Sequence, residues 1–552
     1  MILPFKSERM NMRVKRGRKL VLIVAAVIFL AASPTDNGVL AAAMKHSYGD
    51  GDGGEKAAFT SSVSVTKMTY SSSILEDGDL STVRHSRLII FKEGSFPAHP
   101  EELLRKWPEI EATSLPEAGM LRLTGNSLPQ LQQAEAELRQ IYSDSIEQVG
   151  EDPKIIVSDK NDELPNAAYP SANSLLKIRD WNSTAETTLQ PKNFLRKVQT
   201  GSEDDSSPLI ANATLYQKWG WDIKEVTNDG RSLSVQAGNH NIVVAVVDSG
   251  IDASHPDLSA NIMNSGKSFV PGVADTSDWI GHGTMVAGAI AANGKLLGVG
   301  PNLGLVAYKV FEQGEADSSW VIEAIIQAVR DDVDVINLSL GTYKSLIKPE
   351  DQAVLIAYTR ALTYAYLKGV VVVASSGTNG LDISNPFRLA GSLGWENDLA
   401  VHAPGGLPGV ITVSASNREH ERAFYSNYGL PNMIAAPAGD YGSTWFTKGE
   451  LNLLSMCLTT YPTQLPQSYL SQLAGLPAGY EFMIGTSLAA PKVSAAAALL
   501  IAEGREKGVR INPDIVKKVL LRNATDYGVP GPDGDFGVGV VNIYEALKNI
   551  RL

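Results

Sequence analysis

A chain of 552 residues, 44% hydrophobic and 20% charged, has globular composition and enough apolar material for a large core, which excludes a fibrous or wholly disordered protein. Its net charge of -12, from 48 basic and 60 acidic residues, excludes nucleic acid as a natural partner: phosphate binding needs clustered Lys and Arg, and no basic stripe occurs beyond the extreme N-terminus. The one cysteine, Cys457, cannot form an internal disulfide, so stability must come from packing or from bound ions, and structural calcium is compatible with that.

In chain order, Arg13, Lys15, Arg16, Arg18 and Lys19 precede an apolar run from Leu20 to Ala32, followed by Pro34 and "VLAAAM". A basic region, a short apolar region and small residues describe a secretory signal peptide, placed at residues 1–43 with the cut after Ala43. The expected location is therefore extracellular, with no membrane anchor after that cut. Residues 44–84 are rich in Gly, Ser, Thr and Asp and read as a disordered spacer. Residues 85–158 read as a small α+β unit, with strands at "RLIIF", "GMLRLTG" and "PKIIVSD" and helices at "PEELLRKW" and "LPQLQQAEAELRQIYSD". Residues 159–210, with "GSEDDSSP", read as an exposed linker, where proteases cut.

From Trp219 onward strands alternate with helices within a main domain placed at residues 211–552. The strands are expected at Ile242–Val247, Leu305–Val310, Val333–Leu340, the valine run after Gly369, and Gly409–Ala415. Helices are expected at Trp320–Arg330, Asp351–Leu367, Ala490–Glu503, Pro513–Arg522 and Ile543–Lys548. The alternation predicts an α/β fold, a mostly parallel sheet with helices on both faces. The segment from Gly439 to Phe482 carries no catalytic motif and reads as a lid or a surface insertion.

Three polar residues stand in small-residue contexts. Asp248 ends the first buried strand in "VVDSGIDASHPDL", where a carboxylate after six apolar residues is costly unless something needs its charge. His282 lies in "GHGTMVAGAIAA", whose small residues let a helix pack closely while its first turn presents the imidazole. Ser487 lies in "GTSLAAPKVSAAAALL", at the start of a helix whose first turn would include Pro491. Serine attacks once a base takes its proton, and a neutral histidine serves best when a buried carboxylate orients it. Alone, each residue has an ordinary structural reading as a turn former, a satisfied histidine or an N-cap. Their joint occurrence argues for a nucleophile, a base and an orienting acid. The last of the eight histidines is His420, so no histidine follows Ser487 as α/β-hydrolases require, and no metalloprotease or phosphate-loop motif occurs.

These three motifs, in the order Asp, His, Ser, resemble those of the subtilisin-like serine proteases from about Trp219 to the C-terminus. Within that family, "WDIKEVTNDGRSL", "ANGKLLGVGPNLGLVAYKVF", "SNYGLPNMIAAPAG" and "NPDIVKKVLLRNATDYG" resemble lantibiotic leader peptidases. The resemblance implies a subtilisin-like three-layer α/β fold and a secreted, monomeric endopeptidase needing no cofactor for its chemistry. Its partners would be a modified precursor peptide and its own N-terminal unit, which resembles an inhibitory, folding-assisting propeptide. A broad-specificity protease and an inactive peptide-binding relative are the alternatives. By the same resemblance, Ser339, Leu340 and Gly341 would line one side of the S1 pocket, and Ala374, Ser375, Ser376 and Gly377 the other. The family's oxyanion asparagine follows the loop glycine; here Thr378 follows Gly377, with Asn379 one place later. Thr378 is the expected donor, Asn379 the alternative. Arg179, Arg196 and Lys197 would be processing points if the enzyme prefers a basic residue, and His255 would be structural.

Overall fold

Alternation in the first strand decides how the N-terminal unit packs. In β1 (His85–Phe91), Ile89 and Phe91 point to one face and Leu88 and Ile90 to the other, and all four are fully buried. The computed structural model describes residues 84–156, 208–430 and 432–550. The expected signal peptide and nearly all of the expected spacer and linker, with Arg179, Arg196 and Lys197, lie outside the described residues.

β1 joins β2 (Glu111–Leu115), β3 (Met120–Gly125) and β4 (Ile146–Glu151) in an antiparallel sheet of order β2-β3-β1-β4. Helix α1 (Leu128–Ile141), opened by Ser127 accepting from the Gln130 amide, covers one face through Leu131, Ala134 and Leu138. The two outer strands carry no sequence expectation because "EATSL" and "IEQVGE" are mostly polar, as edge strands can be. The segment "PEELLRK" forms a 3-10 helix. The expected last strand is corrected in place: β5 (Lys154–Ile156) leaves its own unit and pairs with the larger domain.

The larger domain is built on seven strands, all parallel, in the order β15-β14-β12-β10-β6-β8-β7. They are β6 (Val243–Asp248), β7 (Lys267–Ser268), β8 (Gly304–Lys309), β10 (Val335–Leu338), β12 (Val371–Ser375), β14 (Val410–Ser416) and β15 (Ile434–Pro437). Between and after them run α2 (His282–Ala291), α3 (Ser318–Arg330), α4 (Pro349–Lys368), α5 (Thr486–Glu506), α6 (Pro513–Arg522) and α7 (Ile543–Asn549). Three two-stranded pairs complete it: β5 with β9 (Glu315–Asp317), β11 (Thr342–Ser345) with β13 (Ala400–Ala403), and β16 (Cys457–Thr460) with β17 (Tyr480–Met483). Period two sorts even the all-apolar strands. Val244, Val246, Val371 and Val373 face α2 and α5, while Ala245, Val247, Ile336 and Val372 face α3 and α4.

That second core is shared between the units, because Leu88, Ile90 and Met120 of the N-terminal sheet pack with Val354, Ala357 and Tyr358 of α4. Arg360 of α4 reinforces the contact, donating to the Phe91 carbonyl at 2.7 Å and pairing with Glu147 at 2.6 Å.

Two further expectations change. The Val333–Leu340 strand shortens to β10, leaving Ser339 and Leu340 beyond its end. The Gly439–Phe482 segment is neither lid nor surface insertion in its ordered strands: β16 and β17 form a buried ribbon, and Thr459 and Thr460 hydroxyls donate to the Met285 and Thr284 carbonyls of α2 at 2.7 Å each.

Candidate active site

Parallel strands deliver polar residues to their carboxyl ends, where ligands bind in open α/β sheets. Asp248 is the last residue of β6 and His282 the first of α2. His282 Nδ1 lies 2.7 Å from Asp248 Oδ1, with Asp248 fully buried and His282 4% exposed. A carboxylate facing Nδ1 places the proton there and leaves Nε2 as the basic nitrogen. The same Asp248 oxygen accepts from the Ser249 amide at 2.7 Å. Gly283 is obligatory: a Cβ would stand 2.0 Å from the Gly250 carbonyl oxygen.

Asp278 holds this arrangement and carried no sequence expectation. A helix begins with unsatisfied N–H groups, and buried Asp278 accepts from the amides of Ile280, Gly281 and Thr284 at 3.1, 2.8 and 2.9 Å. It also accepts from the Thr284 hydroxyl at 2.7 Å and from the Ser249 hydroxyl at 2.9 Å, while Ser249 Oγ accepts from the Gly283 amide at 2.9 Å. One carboxylate thus ties the first turn of α2 to the loop after β6. An Asp four residues before a histidine that opens a helix is the signal that would have found it.

Ser487 is the second residue of α5, which begins at Thr486 and so places Pro491 inside the helix, past the first turn expected for it. Proline has no N–H to return to the carbonyl four residues back, which is that of Ser487. Ser339 fills the gap: its hydroxyl donates to the Ser487 carbonyl at 2.7 Å, and the Ser487 hydroxyl donates to the Ser339 carbonyl at 3.3 Å. Asn337 Nδ2 donates to Ser339 Oγ at 3.0 Å while its Oδ1 accepts from Ser494 at 2.8 Å, linking β10 to α5.

The segments expected to line a pocket leave neighbouring strands at one level, since Leu338 of β10 is paired with Ala374 of β12. Ser339, Leu340 and Gly341 follow the first; Ala374 and Ser375 end the second, with Ser376 and Gly377 after them. His402 of β13 lies against both glycines. A Cβ at Gly341 would stand 2.5 Å from its Cε1 and one at Gly377 would stand 3.0 Å from its Nε2. Burial pushes the His402 pKa down to about 4, and its Nδ1 has no hydrogen-bond partner among the described residues. Nothing near His402 in the sequence marked it, because its neighbours come from two other strands.

The loop after Gly377 is held by Asn427, another residue without a sequence expectation. Its Nδ2 donates to the Ser376 carbonyl and to Tyr343 Oη at 2.8 Å each, and its Oδ1 accepts from the Leu381 and Asn379 amides at 2.8 and 3.3 Å. Tyr343 in turn donates to Asn379 Oδ1 at 2.9 Å. The Asn379 carboxamide is therefore engaged at the exposed rim, while Thr378 is half-buried.

His255 accepts from the Asp257 amide at Nδ1 (3.1 Å) and donates from Nε2 to the Gly479 carbonyl (2.7 Å), the pattern of a neutral structural imidazole. Cys457 is buried beside Lys492, and burial raises its thiol pKa well above the ordinary value, so it is no nucleophile at neutral pH. Among the described residues no group of three or more His, Cys, Asp or Glu is placed to hold a metal ion.

Comparison with known proteins gives the family of the chain. The profile of the subtilase family matches residues 239–539. The chain is 30% identical over 410 residues to the nisin leader peptide-processing serine protease NisP of Lactococcus lactis subsp. lactis, covering 69% of this chain and 55% of that protein. It is 29% identical over 409 residues to the epidermin leader peptide-processing serine protease EpiP of Staphylococcus epidermidis, covering 68% and 84%. Among solved structures, that of a lanthipeptide protease has 32% identity and a TM-score of 0.55, covering 62% of this chain and 97% of the other. The Staphylococcus aureus EpiP structure has 24% identity and a TM-score of 0.63, and shows the fold alone over 85% of this chain.

Proposed function

This chain belongs to the subtilase family of serine proteases, and from that premise we propose that it is a secreted endopeptidase that removes the leader from a modified precursor peptide. The observation that carries the catalytic part is the buried 2.7 Å bond between Asp248 and His282, with Ser487 at the opening of α5. Asp248 holds the proton on Nδ1 and stabilises the imidazolium that forms. His282 Nε2 takes the proton of Ser487 as its oxygen attacks the peptide carbonyl, then passes that proton to the leaving amine. Water, activated by the same nitrogen, releases the acyl chain and restores the serine.

Negative charge on the tetrahedral oxygen would be met by the Ser487 backbone N–H and the Thr378 hydroxyl. The exposure of Asn379 at the rim, against the half-buried Thr378 directly after Gly377, supports Thr378 over its neighbour. Ser339, Leu340, Gly341, Ala374, Ser375, Ser376 and Gly377 would bound the pocket for the residue before the cut bond. The leader-peptidase part is supported by the similarity to the nisin and epidermin enzymes. Residues 1–43 would direct secretion, and residues 85–158 would act as a propeptide until the 159–210 linker is cut.

Intact-mass measurement over time, on purified wild type and Ser487→Ala, tests the peptidase reading. Loss of the N-terminal mass by wild type alone is expected, with the new N-terminus reporting the preferred cleavage residue. Persistence of both full-length chains would count against an active, self-maturing enzyme. A leader-bearing precursor should then be cut at one bond much faster than unstructured casein; equal rates would replace leader removal by general proteolysis.

A further inference from the structure

A charged residue stands inside the small-residue run that carries the serine. Lys492, directly after Pro491 in "GTSLAAPKVSAAAALL", is fully buried. A buried ammonium without a counter-charge is costly. Its partner is Asp222, also buried, at 2.8 Å, and Lys492 Nζ donates in addition to the Pro437 carbonyl, at the end of β15, at 2.6 Å. Burial opposes the charged form of Lys492, but Asp222 outweighs it and the pKa is raised, so the side chain is an ammonium at neutral pH.

Asp222 comes from outside the stretch that carries the catalytic motifs. It lies before residues 239–539, which the subtilase profile matches, in the helix Trp221–Thr227. That helix is tied to three parts of the larger domain. Asp222 reaches α5, the Trp221 indole N–H donates to the Met456 carbonyl before β16 at 2.9 Å, and Glu225 lies 3.2 Å from His420 Nδ1 after β14. Trp219, which ends the preceding helix, meets Phe482 of β17 edge to face with ring centroids 5.0 Å apart.

These ties bear on Ser487. Pro491 removes the intrahelical bond to the Ser487 carbonyl, so the first turn of α5 is not held by the helix alone. Ser339 holds it before the proline, and the Tyr425 hydroxyl accepts from the Gly485 amide at 2.9 Å. Lys492 pins the helix directly after the proline, to β15 and to Asp222. A serine nucleophile must stand within hydrogen-bond reach of its base, and a misplacement of about 1 Å costs up to about 10²-fold in rate.

We propose that Asp222 and Lys492 are positioning residues: their buried ion pair fixes the start of α5, and with it Ser487, and makes the helix Trp221–Thr227 part of the machinery that places the nucleophile. This rests on the peptidase reading and extends it beyond the three residues that act on the substrate.

The test compares the parent chain with Asp222→Asn and Asp222→Glu. Each is titrated with a fluorophosphonate to count reactive serines, and kcat per reactive serine and KM are measured on one peptide substrate. Asp222→Asn leaves the Lys492 ammonium without its counter-charge, so kcat per site and the phosphonylation rate are expected to fall together by about tenfold, with KM little changed. Asp222→Glu, which keeps the charge, should recover most of that loss. Fewer reactive serines, each with parental kcat, would mean that the pair serves folding only and would overturn the proposal. Should Asp222→Asn fail to fold, the double variant Asp222→Leu, Lys492→Met decides, because apolar replacements of buried ion pairs commonly preserve the fold. Parental kcat in that folded double variant would overturn the proposal, and a lowered kcat would support it. A parent chain that neither hydrolyses the substrate nor reacts with the fluorophosphonate would overturn the peptidase reading, and this proposal with it.

Discussion

Thr378 and Asn379 show how one residue's partners decide its role. By the family resemblance the position expected for an oxyanion donor holds Thr378, which is half-buried, while Asn379 beside it is exposed with its Oδ1 accepting from Tyr343. A side-chain donor in a subtilisin oxyanion hole contributes about 10²- to 10³-fold to kcat. Thr378→Ala is therefore expected to lower kcat by about 10²-fold with KM little changed, and Asn379→Ala by less than about threefold. Steady-state kinetics on one peptide substrate decide the matter, and the opposite ranking would make Asn379 the donor. Both residues could be read as candidates from the sequence. Their different exposure comes from a loop held by Tyr343 and Asn427, which lie 36 and 48 residues from Asn379 along the chain.

Among the elements, α5 depends on a partner from a different strand. Pro491 deletes the intrahelical bond to the Ser487 carbonyl, and Ser339 beyond β10 replaces it. A buried carbonyl left without a donor costs about 1–3 kcal/mol. In a Ser487→Ala background, which prevents self-digestion, Ser339→Ala should lower unfolding free energy by about that amount in denaturant titration. Adding Pro491→Ala, whose new N–H can reach the same carbonyl, should recover part of the loss. Strictly additive effects in this double-mutant cycle would show that Ser339 stabilises the helix by some other route. The helix was legible in its small-residue run, but its start was placed late, at Ala490, because the sequence does not reveal that Ser339 supports the turn before the proline.

For the whole molecule, the join between the N-terminal unit and the larger domain is expected to respond to pH through Asp152. Burial and the neighbouring Asp317 raise the Asp152 pKa to about 7, opposed by Ser319 and Arg122. Asp152 accepts from the Ser319 amide and hydroxyl at 3.0 and 2.6 Å, while Lys154 pairs with Asp317 at 2.6 Å and Arg122 with Glu323 at 2.7 Å. Buried Lys344 and the Tyr358 hydroxyl also feel the Asp152 charge. A carboxyl whose pKa is raised on docking takes up protons as it docks. Its stabilisation is full below the free value of 3.8 and is lost as pH rises toward about 7. In the Ser487→Ala chain, β5 amides should therefore exchange more readily at pH 7.5 than at pH 5, after correction for intrinsic rates. Asp152→Asn should flatten that dependence; the same pH profile in both chains would remove Asp152 as its cause.

The sequence by itself determined the α/β class, the central strands of the sheet and the motifs around Asp248, His282 and Ser487. Those signals are local: apolar runs mark buried strands, and small residues beside a polar one mark close packing around it. Tertiary structure alone decided that Asp278 and Asn427 hold the candidate site together, that His402 lies against Gly341 and Gly377, and that β5 pairs outside its own unit. It also showed that the 439–482 segment, expected to be a lid or a surface insertion, contributes a buried ribbon supporting α2. Each of these depends on hydrogen bonds or contacts between groups brought together by different elements, and an isolated polar residue looks the same in sequence whether or not a distant strand will supply its partner.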